Sequence, residues 1–284
     1  MMVDKLTVLR YFCTNLYSRS FRIIHINCLL PQIPERSIYS QSNAKTKLYS
    51  MKWSEFFTSS IGKKYVMGAT GLFLISFLVI HVGLNACIWA NDQGEMFNKA
   101  AHFMGSMIVI RILEIGLFAG IILHTIQGLI FEFQNRTKRK TGYAIPLGNK
   151  GSKWYRRSMG LLGTLILLFL IMHVYHFWIP SRFGGIGAVH ELETVQYNGR
   201  EYHNLYAEIL KVFQGNIAIV ILYLAGCISL AYHLMHGFQS AFKTMGVHNR
   251  RYLIMLNNFG LGFSIIVSAA FAMMPVSVYL QWIS

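Results

Sequence analysis

Four long apolar stretches each hold a histidine well inside them: His81, His124, His173 and His233. An ionisable side chain within a bilayer is costly and marks a functional site by default. Four imidazoles on four helices can face each other as two pairs. Two such pairs inside a helix bundle are what two b-type haems need, one imidazole on each side of each iron. The chemistry would then be one-electron transfer.

Depth selects the partners. A helix rises ~1.5 Å per residue, so His81 and His173 each come about fifteen residues into spans that enter from one side. His124 and His233 come about twenty residues into spans that enter from the other side. The expected levels are therefore an outer pair, His81 and His173, and an inner pair, His124 and His233. His176 and His236 each follow a candidate by three residues, on a neighbouring face. Internal echoes choose between them. Leu-His124-Thr-Ile-Gln127-Gly128 parallels Tyr-His233-Leu-Met-His236-Gly237, so His236 takes the place of Gln127 and reads as a polar partner. Gly128 and Gly237 fall one turn after the histidine, where a porphyrin edge could approach the backbone. For any one of these histidines alone, a hydrogen bond between helices is the competing reading. For glycines such as Gly68, Gly71, Gly116, Gly120, Gly160 and Gly163 the competing reading is close helix packing.

The elements that must position these residues are membrane helices. The chain has 284 residues, 54% hydrophobic and only 13% charged. Apolar runs of ~20 residues are long enough to span a bilayer. Five are expected: about Val66–Ala90, Phe103–Phe131, Ser158–Ile179, Val212–Phe242 and Leu253–Trp282. The fold class is all-α, a polytopic five-transmembrane-helix bundle enclosing two haems. The formal charge of +15 does not indicate nucleic acid, because the cations concentrate in the connections. Connection 132–157 carries Arg136, Lys138, Arg139, Lys140, Lys150, Lys153, Arg156 and Arg157 against Glu132 alone. Lys63 and Lys64 precede the first span, and Lys243, Arg250 and Arg251 join the last two. Asp92, Glu95, Glu191, Glu193, Glu201 and Glu208 occupy the other two connections. This alternation predicts a cytoplasmic N-terminus and an external C-terminus. Cys13, Cys28, Cys87 and Cys227 form no C-x-x-C-H, so covalent haem attachment is not indicated.

Residues 1–50 are polar and poor in acids. They read as an upstream extension, with the working domain 51–284 starting at Met51. A disordered tail and a transit peptide are the competing readings.

From here the chain resembles a known family, the five-helix, single-subunit, di-haem cytochrome b anchor of bacterial succinate dehydrogenases and fumarate reductases. The resemblance covers roughly residues 60–284. It is carried by Asn98-Lys-Ala-Ala-His102-Phe-Met, Leu113-Glu114-Ile, His173-Val-Tyr and Tyr232-His233-Leu-Met-His236-Gly237-Phe-Gln-Ser. It implies His81, His124, His173 and His233 as axial ligands of two haem b groups, in the pairs that depth selects. It also implies a flavoprotein and an iron–sulfur subunit as partners, a quinone (menaquinone) as the membrane substrate, and a bacterial cytoplasmic membrane as the location. Electrons from succinate would reach the inner haem, then the outer haem and the quinone; fumarate reduction runs the route backwards. The chain has no dinucleotide fingerprint and no cluster-binding cysteines, so dicarboxylate chemistry belongs to the partners.

Quinone reduction also needs protons. His102, at the outer end of the second helix, is the first candidate for that site, with an ordinary interfacial histidine as the alternative. Arg111 and Glu114 lie one turn apart inside the second span. They read as an ion pair with Arg111 also facing a haem propionate, as a proton relay through Glu114, or as structural pairing only. Rival functions fit less well. A membrane di-iron hydroxylase needs clustered histidine boxes near one face. A respiratory bc-type cytochrome takes two ligands from each of two helices. A transporter or a haem-free anchor would need no buried imidazoles.

Overall fold

The computed structural model describes residues 53–138 and 154–283. Helix α1 (Trp53–Thr58) turns sharply into α2 (Ser60–Asn85). Ser59 caps α2, its hydroxyl accepting from the Gly62 N–H at 3.0 Å. Only glycine fits position 62, because a Cβ there would lie on the Phe56 carbonyl. A 3₁₀ turn, Ala86–Trp89, extends α2 into a 30-residue span. The chain then reverses through Asn91, Gln93 and Gly94, all at positive φ.

Helix α3 (Glu95–Ser106) follows, and Met107 breaks it from α4 (Ile108–Lys138) with an extended backbone at ψ 131°. After the short α5 (Trp154–Arg157), the third span consists of α6 (Met159–His173), a π-helical turn (Val174–Trp178) and α7 (Ile179–Phe183). Pro180 has no N–H to continue the α ladder. The helix widens just before it, with the Ile179 N–H reaching back five residues to Val174 O.

Strands β1 (Thr194–Tyr197) and β2 (Arg200–His203) form an antiparallel hairpin. Its turn is Asn198-Gly199, both at positive φ, the pairing a two-residue type I′ loop demands. Helices α8 (Leu205–Gln214), α9 (Ile217–Thr244) and α10 (Arg250–Tyr279) complete the chain. Asn204, Asn216 and Asn249 cap them, each accepting a backbone N–H on its side-chain oxygen.

Among the described residues five helices are long and apolar enough to cross a membrane: Ser60–Trp89, Ile108–Thr137, Met159–Phe183, Ile217–Thr244 and Arg250–Tyr279. Large apolar side chains such as Val79, Ile115, Leu168, Ile221 and Ile266 point outward, as on helices made for lipid. Successive spans run up and down. Gly68 near the start of α2 lies against Thr244 at the end of α9, and Gly160 at the start of α6 against Glu132 near the end of α4. Trp89 Nε1 donates to Ser277 Oγ at 3.1 Å, joining the far ends of the first and fifth spans. One end of the bundle thus carries Lys63, Lys64, Arg136, Arg157 and Lys243 (the basic end). The other carries α3, the hairpin and α8 (the hairpin end).

At the hairpin end Asn98 is fully buried and ties three elements together. Its Nδ2 donates to Tyr197 Oη at 3.1 Å and to Asn204 Oδ1 at 3.0 Å, and its Oδ1 accepts from the Tyr206 N–H at 2.9 Å. Phe97, Tyr206, Ile209 and Phe213 pack beneath onto Tyr223 and Val278.

The span limits differ from the sequence reading at both ends: at the basic end the first span starts at Ser60, not Val66, and the second runs to Thr137, not Phe131. The second span starts at Ile108, not Phe103, and the fourth at Ile217, not Val212. In both places an amphipathic helix precedes the span, and hydropathy alone merges the two. The hairpin was not expected in an all-α chain; it lies in the connection, and the five spans are helical throughout. The expected extension 1–50 lies outside the described residues, as do the cations at 139–153.

Candidate functional site: two imidazole pairs inside the bundle

The structure brings His81 of α2 and His173 of α6 together, with ring centres 5.8 Å apart and planes at 90°. It brings His124 of α4 and His233 of α9 together at 6.2 Å and 68°. The first pair lies toward the hairpin end, the second toward the basic end. These are the partners that depth selects.

Each pair has one ring held through Nδ1 and one that is not. His124 Nδ1 lies 3.1 Å from Thr70 Oγ1. That hydroxyl already donates to Val66 O at 2.8 Å, so toward the imidazole it accepts. In that arrangement Nδ1 carries the proton and the Nε2 lone pair is left for another partner. His81 Nδ1 lies 3.3 Å from Asn85 Nδ2, whose amide also donates to the His81 carbonyl at 2.7 Å. His173 Nδ1 and His233 Nδ1 are buried without a hydrogen-bond partner. A buried polar atom left unpaired is costly. Among the described residues Gln127 Oε1 and Ser268 Oγ share this condition, so it is a property of the bundle interior around the pairs.

The spacing suits a metal between the rings. A metal ~2 Å from one nitrogen of each imidazole needs ring centres roughly 6 Å apart. Among the described residues no group of three or more His, Cys, Asp or Glu converges on a point. Two ligands suffice only where a macrocycle supplies the equatorial nitrogens, as haem does. Space for such a group exists along the helices. A Cβ at Gly116 or Gly237 would meet no atom within 4 Å, and one at Gly128 only the Met67 methyl at 3.7 Å. Packing does not demand glycine at these three positions. It does at Gly160, where a Cβ would strike Glu132, and at Gly120, which faces Phe73 at 3.1 Å.

The remaining candidates divide. His176 turns away from the pair: its Nδ1 is 3.0 Å from Tyr223 Oη and its ring stacks on the phenol at 13°. His236 lies within electrostatic reach of His233. Arg111 and Glu114 do form an ion pair, at 3.6 Å. Closer partners were missed by the sequence reading. Arg182 grips Glu114 with Nε at 3.0 Å and Nη2 at 3.3 Å, and Trp178 Nε1 donates to the same carboxylate at 2.5 Å. Arg111 is 47% exposed at its side chain and also donates to Gly105 O. The signal for Arg182 was its depth. It ends the third span at the level where α4 begins, and Glu114 is less than two turns into α4. His102 does not cap the second span. It lies exposed on α3, edge-on to Tyr202 of the hairpin at 5.0 Å.

The fold and site thus define a five-helix, membrane-spanning bundle with two internal imidazole pairs. No protein-family model and no solved structure matches the chain. It is 27% identical over 178 residues to the succinate dehydrogenase cytochrome b558 subunit of Bacillus subtilis (strain 168), a match covering 62% of this chain and 73% of that protein. This similarity supports the succinate dehydrogenase cytochrome b family that the motifs resemble.

Proposed function

We propose that this chain is the membrane-anchor cytochrome b of a succinate dehydrogenase or fumarate reductase, carrying electrons between an iron–sulfur subunit and a membrane quinone, menaquinone by the resemblance. The observation that carries this reading is the pairing of four imidazoles across four helices, at 5.8 and 6.2 Å. His81 with His173, and His124 with His233, would hold two haem b groups, which supply one-electron carriers at two depths.

The chain's own residues do the positioning. The Thr70 hydroxyl meets His124 Nδ1, and the helix backbones hold each imidazole opposite its partner. The apolar spans keep water from both pairs. Glu114 is gripped by Arg182 and Trp178 near the hairpin end. In this reading Arg111, half-exposed beside it and loosely paired with the same carboxylate, is the cation that would meet a haem propionate. His102 and Glu114 are the residues proposed to hand protons to the quinone. A flavoprotein and an iron–sulfur subunit would dock at the basic end. That end faces the cytoplasm of a bacterium by the charge rule, with the N-terminus on the same side.

The test is a pyridine haemochrome assay with a reduced-minus-oxidised spectrum, on the chain purified from Met51 onward. Two b-type haems per chain are expected. A folded, membrane-inserted chain without haem would sink the reading and leave a transporter or a bare anchor.

A further inference from the structure

Glu208 is a buried carboxylate that the reading above leaves unused. It sits on α8 with its side chain 10% exposed, and its Oε1 lies 3.1 Å from Nε2 of His190, a residue half in water. On its inner side Glu208 lies within electrostatic reach of His176 on the π-helical turn. His176 in turn contacts Tyr223 of α9, and the Tyr223 ring touches that of His173 at 6.2 Å. The order from the surface inward is imidazole, carboxylate, imidazole, phenol. The other elements packed on α8 bring Phe97 and Asn98 from α3 and Met274 and Val278 from α10, none of them charged, while the turn before α3 brings Asp92 within electrostatic reach of Tyr206.

Two features argue for more than a strap between α8 and the segment before β1. Taking a carboxylate out of water is costly and contact with one half-exposed imidazole offsets little of that, so stability alone is a weak reason for burying it. The π-helical turn also places His176 toward α8 and α9, and such turns are frequent at functional sites.

We propose that Glu208 carries protons between the hairpin-end surface and the level of His81 and His173, with His190 as its exposed exchange partner. The proposal rests on the electron-transfer reading and deepens it. A quinone reduced at that end takes two electrons, supplied by the dicarboxylate-oxidising partner subunits, and two protons, forming two O–H bonds. For a proton taken by this route, beside that of His102 and Glu114, the O–H bond of the Glu208 carboxyl breaks and the proton passes to His176 and on to the quinone oxygen. The carboxylate then takes a proton from the His190 imidazolium, which becomes neutral and is recharged by water.

The experiment uses the whole complex in native membranes, with E208Q and E208D. The haem spectrum is recorded first; wild type lacking haem would overturn the functional reading itself, before any variant is compared. With both haems present, E208Q should slow succinate–quinone reduction roughly 100-fold, the lower end of the usual worth of a positioned proton-transfer group. The loss should deepen as pH rises and protons become scarce. E208D should recover most of the rate. Redox-induced infrared difference spectra should show a carboxyl signal in wild type, shifted in E208D and absent in E208Q. An E208Q complex with wild-type rate, pH profile and infrared signal would overturn the relay. So would equal loss of haem and rate in both variants, which would make Glu208 a structural strap.

Discussion

The two imidazole pairs are built from different neighbours. At the hairpin end each histidine rests on a phenylalanine one turn earlier in its own helix. Phe77 stacks on His81 at 5.1 Å and 21°, and Phe169 on His173 at 5.7 Å and 21°. Phe271, Phe177 and Tyr223 close the ring around them. At the basic end the corresponding positions are Gly120 and Ser229, and no ring stacks from below. There His124 is held by the Thr70 hydroxyl, and Gly71 lets the imidazole lie 3.4 Å from where a Cβ would stand. One pair is clamped by apolar shape, with Asn85 of the same helix on His81 Nδ1, and the other is aimed by a hydroxyl from a neighbouring helix. Residues four apart on a helix share a face, so the clamp is local, whereas Thr70 must be brought from another helix.

The largest effect should come from removing the rings. His81→Ala or His173→Ala should empty the hairpin-end level, and His124→Ala or His233→Ala the basic-end level, each leaving one haem of two by pyridine haemochrome. His176→Gln and His236→Gln should keep both. If any substitution at one level costs both haems, the pairs are not independent and the comparison breaks.

Next is Gly226→Ala. Its Cβ would lie 2.5–2.9 Å from Phe169, the ring beneath His173. Over-packing of this kind costs about 1–3 kcal/mol. A lower melting temperature in detergent, with spectral change confined to the hairpin-end haem, is expected.

Thr70→Val should cost less, ~1 kcal/mol for one hydrogen bond. It should instead broaden or shift the basic-end haem in low-temperature spectra. Equal response of both haems would mean that Thr70 acts on the bundle as a whole.

The smallest effect should lie in the cap, away from both pairs. The Lys99 ammonium hydrogen-bonds Glu95 at 2.5 Å, which raises the lysine above its usual range, with Coulombic help from the same carboxylate. Because the folded value is raised, this contribution is fully present below the ordinary lysine value and is lost as pH rises through the folded one. Glu95→Gln should abolish that alkaline dependence in melting curves and leave both haem spectra unchanged. Exposed pairs contribute little, so the melting shift should be near the limit of detection.

Much of this was legible in the chain. The four histidines announced themselves because an imidazole is rare in an apolar run, and rise per residue converted their positions into two levels. The Phe-x-x-x-His spacing of the hairpin-end pair and the Asn198-Gly199 turn were also visible, though the hairpin went unread among helices. The breaks at Met107 and Gly215 were not visible, because hydropathy averages across them while a single backbone dihedral makes the break.

Sequence alone determined what depends on local geometry: the five spans, the depth of each imidazole and the end to which each connection belongs. A helix has one rise and one period, so these follow from counting. Only tertiary structure decided which groups meet across helices. Arg182 and Trp178 reach Glu114 from sixty-odd residues away, Tyr223 draws His176 away from His173, and the Thr70 hydroxyl meets His124 Nδ1. Those contacts depend on how each helix is rotated about its axis against its neighbours. That rotation is set by side-chain packing along the whole interface, not by any one stretch of chain.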